Sequence, residues 1–307
     1  MSGFRPLRWL KRRYLDLRIL LRYRTLYPRF VLLADGEHEV SVNPRDPRAR
    51  KKLIADSIRR KKRHNQIFWR AAVQDIEPDV ALDIGVNFGE CLFQASYSES
   101  TRAIGIDGNP DLLPFLTESR DRHAQSQQIE VHNAMVDESS REPATFYVST
   151  QASGRSSAVK GVLVDRDCEC RETTVPVTSI DAIVGSAAKR VVFKIDVEGY
   201  EGHVLRGMQK TLDTCEIAVG FIEFDTRMLS SAGEDLAALW RFLQDRFSVH
   251  MFVGKTLVPM MDCDWKTASE LCEQEGSHTD LLLVRGETAL ARSFADRVFQ
   301  SAAPAAA

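Results

Sequence analysis

From residue 80 onward the chain alternates short apolar runs with stretches of helical periodicity, and this alternation narrows the fold more than any other feature. The runs fall at 80–84, 102–107, 129–133, 191–196, 217–224, 248–253 and 280–284. Short runs separated by helix-length stretches are the pattern of βαβ units, which lay strands in parallel and cover both sheet faces with helices. The expected fold is therefore α/β, an open doubly wound sheet of seven mostly parallel strands. An insertion at 143–176 divides the third run from the fourth, and 145–149 with 173–177 read as a hairpin-like pair. One domain over 71–300 is expected, with a basic helical arm at 1–70 before it and a disordered Ala-rich tail at 301–307.

The first run ends in Asp83-Ile84-Gly85-Val86-Asn87-Phe88-Gly89, with a helix expected from Glu90. Gly85 and Gly89 let the backbone approach a ligand closely where strand gives way to helix. The second run ends in Asp107, placed to accept hydrogen bonds from both hydroxyls of a ribose. Two cofactor classes use such a site, and charge separates them. A dinucleotide lays its pyrophosphate on the helix N-terminus; here Asp83 and Glu90 bring negative charge to that place. The loop suits S-adenosylmethionine, which has no phosphate and carries an ammonium and a sulfonium. Asp83, Gly85, Asn87, Gly89 and Asp107 are the candidate cofactor residues, with Asn133, at the third strand end, expected near the adenine edge.

In an open α/β sheet, ligands sit beyond the carboxyl ends of the strands where strand order reverses. The fourth run delivers Lys194-Ile195-Asp196-Val197-Glu198-Gly199-Tyr200-Glu201 to that point, and the fifth delivers Glu223 and Asp225. Asp196, Glu198 and Glu223 are the candidate catalytic residues, while Glu201 has an alternative role at the following helix's N-terminus, where its charge is favourable. The block at 194–201, followed by Val204-Leu205-Arg206-Gly207, resembles the K-I-D-V-E-G-x-E-x-x-V-L-x-G signature of the FkbM family of methyltransferases. The loop at 83–89 is similar to that family's D-I-G-A-N-x-G opening, with Val86 for the usual Ala. The second strand ends in Asp107-Gly108-Asn109-Pro110, where the family more often has Glu-Pro. The likeness covers about residues 65–223. It implies a Rossmann-like methyltransferase sheet and methyl transfer to a hydroxyl oxygen of a glycan, glycolipid or related metabolite, as in polysaccharide biosynthesis. Such a reaction aligns the acceptor oxygen with the sulfonium methyl and removes one proton. In a sharper version Asp196 with Glu223 or Asp225 holds Mg²⁺, which lowers the hydroxyl's pKa.

Charge is unevenly distributed. Residues 1–70 hold 20 Lys and Arg against 6 Asp and Glu, a local charge of +14, and the remainder carries −16. Leu7, Leu10, Tyr14, Leu17 and Leu21 recur at helical spacing among Arg8, Lys11, Arg12, Arg18 and Arg22. This is a basic amphipathic helix, suited either to an anionic membrane surface through residues 1–30 or to packing on the domain or a second subunit. A further helix is expected over 48–76; its Arg59-Arg60-Lys61-Lys62-Arg63 run is able to touch phosphates or to stand solvated. No apolar stretch is long enough to span a bilayer, no secretory signal pattern opens the chain, and the six cysteines lack zinc-ligand spacing. A cytoplasmic enzyme with reduced thiols, peripheral at the inner membrane face, is the expectation. A nucleic-acid methyltransferase would explain the basic arm, yet the acids after the fourth strand would repel a phosphate backbone, so no nucleic-acid partner is expected. A non-catalytic membrane-associated protein on the same fold would be expected to carry a damaged cofactor loop, and this loop is intact.

Overall fold

The structure is a computed structural model that describes residues 5–286 except 166, 186–187 and 255, with side chains from residue 13 and none for 164 and 165. The expected tail at 301–307 lies outside the described residues.

The chain opens with helix α1 (Arg5–Tyr23), a small hairpin of β1 (Phe30–Leu32) and β2 (Glu39–Ser41), and a π-helical turn at Ala49–Ile54 running into α2 (Ala55–Arg59). Helix α3 (His64–Ile76) leads into the sheet. Strands β3 (Val80–Ile84), β4 (Arg102–Asp107) and β5 (Ile129–Asn133) follow, with α4 (Leu113–Arg122) between the last two. The insertion builds a separate three-stranded sheet from β6 (Met135–Val136), β7 (Arg141–Ser149) and β8 (Cys170–Thr178), crossed by α5 (Lys160–Asp165). After α6 (Ile180–Val184) come β9 (Arg190–Ile195), α7 (Glu201–Arg206), α8 (Gln209–Thr214) and β10 (Ile217–Asp225). The chain then forms α9 (Thr226–Ser231), α10 (Leu236–Arg246), β11 (Ser248–Val253), β12 (Thr256–Pro259), α11 (Trp265–Gln274) and β13 (His278–Arg285).

The main sheet has the order β12-β11-β13-β10-β9-β3-β4-β5, parallel from β10 through β5 and antiparallel at β13, β11 and β12. It holds eight strands where seven were expected. The additional one, β12, is a four-residue edge strand with little buried side-chain surface to mark it. Strand order reverses between β3 and β9, which opens a crevice beyond their carboxyl ends.

Two expectations about helices are corrected. The stretch after Gly89 forms a single 3₁₀ turn at Leu92–Gln94 in place of a helix. The face it would have covered is filled by α3, whose Phe68, Trp69, Ala72, Val73 and Ile76 are buried, with the Phe68 ring 5.2 Å from that of Phe221 on β10. Residue 70, the expected boundary, therefore falls inside an element of the sheet's own core. The single helix expected over 48–76 is also broken. Arg60 turns left-handed at φ 54° as it closes α2, and Arg63 bends back to pair with Asp56 at 2.7 Å. Continuing the helix would have stacked five consecutive cations along it, and like charges on neighbouring turns are destabilising.

Candidate active site

The floor of the crevice is organised by one buried lysine. Lys194 Nζ lies 3.1 Å from Asp83 Oδ1 and 3.6 Å from Asp196 Oδ2, and donates to the Gly85 carbonyl. Burial lowers the ammonium's pKa, but Asp83 and Asp196 outweigh it and raise the pKa above the ordinary value. The lysine thus ties the end of β3, the glycine loop and the end of β9 together. Gly85 makes the join possible. It sits at φ +75°, and a Cβ there would come within 1.8 Å of the Asp196 carbonyl oxygen.

Of the candidate cofactor residues, Gly85, Asn87 and Asp107 line a cleft above the ends of β3 and β4. Asp107 accepts backbone N–H bonds from Asn87 at 2.9 Å and Asn109 at 2.8 Å, one on each carboxylate oxygen. Each oxygen keeps a lone pair for a further donor. Burial lifts the Asp107 carboxyl to about 6 against the pull of those two bonds. Asp83, Gly89 and Asn133 do not line the cleft. Asp83 lies beneath the loop, holding Lys194 and the Leu92 N–H, and Gly89 packs on Phe93. Asn133 donates to the Asp107 carbonyl and so fixes β4 against β5.

The insertion forms the cleft's roof. Phe146 on β7 packs over Gly108, whose Cβ would clash with its ring, while Met135 and Val136 close the far end. Ser153 donates to the Asn87 side chain, and Ser157 donates to the Glu198 carbonyl at 3.0 Å, tying the roof to both strand-end loops.

A second cavity, of about 350 Å³, opens beside the first. Arg48, Asp196 and Glu198 line both and form the wall between them, whereas Glu223 and Asp280 lie on the second side alone. Asp196, Glu198 and Glu223 each present an oxygen within 4.8 Å of the others, so all three catalytic candidates come together. Burial would raise the Asp196 carboxyl, but Lys194, Arg48 and Lys52 hold it below its usual value. Glu223 goes the other way: burial, then the charges of Asp196 and Glu198, push it well above the ordinary range. Its Oε1 stands 3.2 Å from His278 Nδ1, and its buried Oε2 has no hydrogen-bond partner among the described residues. Asp280 is lifted to about 7, first by burial and then by Asp196.

Two neighbouring acids do other work. Asp225 caps α9, accepting from the Arg227 and Met228 N–H groups. Glu201 accepts from the N–H groups of Val197 and Gly199, stiffening the loop that carries Glu198, whose own φ is 57°. Sequence reasoning missed Arg48 and His278. Arg48 comes from the N-terminal segment and pairs with Glu90 at 2.8 Å, a contact that no local spacing announces. His278 opens β13 opposite Asp225, and only the antiparallel register of β13 on β10 brings it to the site.

A model of the FkbM methyltransferase domain matches residues 83–247, a little over half of the chain. Among solved structures, the chain is similar to the methyltransferase FkbM from Methylobacillus flagellatus, with 14% identity and a TM-score of 0.44 over 75% of this chain and 52% of that one. The chain thus spans about half the length of that relative. An O-methyltransferase from Bacillus cereus in complex with SAH aligns at 10% identity and a TM-score of 0.39, covering 73% and 82% of the two chains. The O-methyltransferase TomG from Streptomyces achromogenes, in complex with SAM, aligns at 13% identity and a TM-score of 0.37, covering 72% and 79%. No curated protein matches the chain. The matched span contains both the glycine loop on β3 and the acid block after β9, the two segments that build the paired clefts, and the chain belongs to the FkbM methyltransferase family.

Proposed function

We propose that the protein is an S-adenosylmethionine-dependent O-methyltransferase acting on a hydroxyl of a glycan, glycolipid or related metabolite. The observation that carries this reading is the shared wall. Asp196 and Glu198 stand between a cleft with a ribose-type acid, Asp107, and a second cavity with Glu223. Bound in the first cleft, the cofactor supplies an electrophilic methyl on a sulfonium. Asp107 would take the ribose hydroxyls, Phe146 would cover the adenine, and Arg48 would meet the methionine carboxylate. The cofactor would supply the methyl to the acceptor oxygen and be left as S-adenosylhomocysteine, and Glu223 would take the hydroxyl's proton. A carboxylate with a raised pKa is the better base for a hydroxyl proton, and such a base contributes about 10²–10⁴-fold. Asp196, held ionised by Lys194, would position the hydroxyl and face the sulfonium.

Mg²⁺ held by the three carboxylates is the second reading, favoured by their 4.8 Å spacing. We prefer the metal-free one because Lys194 and Arg48 already supply positive charge to Asp196. A nucleic-acid acceptor is disfavoured, since its backbone would have to pass the carboxylates of the cavity floor. Contact with an anionic inner membrane face is supported by α1. Tyr14, Leu17 and Leu21 are exposed, while Ile19 is buried and Tyr23 bonds Ser57. The described part of the expected apolar stripe, Tyr14, Leu17 and Leu21, thus faces away from the domain, and the helix docks by a different side. No helix among the described residues is long and apolar enough to cross a membrane.

Calorimetric titration with S-adenosylhomocysteine tests the cofactor site: wild type should bind, and Asp107→Ala should lose that binding. A folded wild type that does not bind would overturn the reading. Transfer of labelled methyl from S-adenosylmethionine to sugar acceptors, with EDTA or added Mg²⁺, then decides between base and metal.

A further inference from the structure

The acceptor cavity has an acidic floor and a basic rim. Lys52, Lys61, Lys62, Arg63 and His64 line it opposite Glu223, and its continuation adds Lys51, Arg155 and Arg227. Three of the carboxylates nearby have a cation of their own, Glu90 with Arg48, Asp196 with Lys194 and Asp56 with Arg63, while Glu223 faces His278, and Glu198 and Asp280 complete the acidic lining. The ammonium groups of Lys51, Lys52, Lys61 and Lys62 make no ion pair or hydrogen bond among the described residues. Lys61 and Lys62 are therefore surplus positive charge at the rim, whereas Lys52 also faces Asp196 on the floor. The like charge of Arg48, and then burial, lower the pKa of Lys52, and Asp196 and Glu90 oppose that shift.

The backbone adds to the rim. The left-handed turn at Arg60 carries Lys61 and Lys62 out of α2 and across the mouth of the cavity. The 13-residue α3 then begins at His64 with no acidic side chain in its first turn, and His64 and Asn65 at that end line the cavity. The positive end of a helix dipole so adds to the lysine charges. A neutral sugar would leave this rim unused. A polyanionic chain would meet the floor. A single phosphate or diphosphate joined to a sugar fits both: anion on the rim, hydroxyl over the acids.

We propose that the acceptor is a phosphorylated sugar, its phosphate or diphosphate held by Lys52, Lys61 and Lys62 at the start of α3 while a ring hydroxyl reaches Glu223 and Asp196. This rests on the methyltransferase reading above and names its substrate class. A nucleotide sugar and a lipid-linked sugar phosphate both present this chemistry.

The test is calorimetric titration of inorganic pyrophosphate into the full chain saturated with S-adenosylhomocysteine, for wild type, K61A/K62A and the remote control Lys189→Ala. Wild type and Lys189→Ala should bind pyrophosphate, and K61A/K62A should bind it about tenfold or more weakly, with S-adenosylhomocysteine affinity unchanged. Absence of pyrophosphate binding in wild type, or equal binding in K61A/K62A, overturns the proposal. Displacement of pyrophosphate by uridine diphosphate glucose supports a soluble nucleotide sugar. Displacement only by vesicles containing phosphatidic acid supports a lipid-linked one, and displacement by neither overturns the proposal. Because S-adenosylhomocysteine binding is read separately, failure on the rim is distinguishable from failure of the methyltransferase reading.

Discussion

Glu223 and Asp196 are two carboxylates a few ångströms apart with opposite tendencies, and their surroundings say why. Asp196 has Lys194 at 3.6 Å; among the described residues, Glu223 has a half-exposed His278 beside one oxygen and no hydrogen-bond partner on the other. The proton acceptor must be ionised to act, so activity should be lost on the acid side. For Glu223, that loss should be centred above the ordinary glutamate range, because burial and neighbouring negative charge raise its pKa. Glu223→Gln should lower kcat by about 10²–10⁴-fold and remove that limb of the pH profile, with S-adenosylhomocysteine affinity kept. Full activity in Glu223→Gln would exclude it as the base. At this scale the sequence was readable where chemistry and backbone coincide: Asp107, Asp196, Glu198 and Glu223 follow from strand ends. It did not give the direction of Asp83 and Asn133, since a polar residue at a strand end can turn inward to a buried partner as easily as outward to a ligand. Charge and spacing do not tell the two apart.

Among the elements outside the matched family span, α3 packs its apolar face on the main sheet. It replaces the helix expected after β3 and fills that face of the sheet with Phe68 and Trp69, both fully buried. Truncating such a ring leaves a cavity, so Phe68→Ala should destabilise the whole domain by about 3–5 kcal/mol. Urea denaturation followed by tryptophan fluorescence measures it. A loss confined to the arm, with the sheet's transition unmoved, would show that α3 is an accessory. The strands themselves were legible almost to the residue, because buried parallel strands are apolar throughout and their ends carry the acids. The break at Arg60 was not read from the sequence, because the run holds no glycine or proline and the repulsion of its five cations does not say at which residue the helix ends.

Over the whole molecule, α1 leaves an apolar stripe at one end, with Leu17 and Leu21 exposed and Arg22 among them. Contact with anionic vesicles should follow, and Leu17→Ser with Leu21→Ser should abolish co-flotation while methyl transfer to a soluble acceptor persists. Vesicle binding unchanged in that double variant would remove the membrane role. If that contact is made, positive charge at the N-terminal end and negative charge elsewhere would orient the molecule at the surface.

The wall between the two clefts has a consequence for the direction of the reaction cycle. Asp196 and Glu198 would face a cation before transfer and an uncharged thioether after it. On the proposed reading, the part of the attraction owed to the sulfonium would go with the methyl and the part owed to the ammonium would stay, while Lys194 and Arg48 remain to hold the carboxylates in place. Glu223, protonated in the same step, would have to give that proton up before the next cycle, so resetting the site would be a proton transfer at the cavity floor.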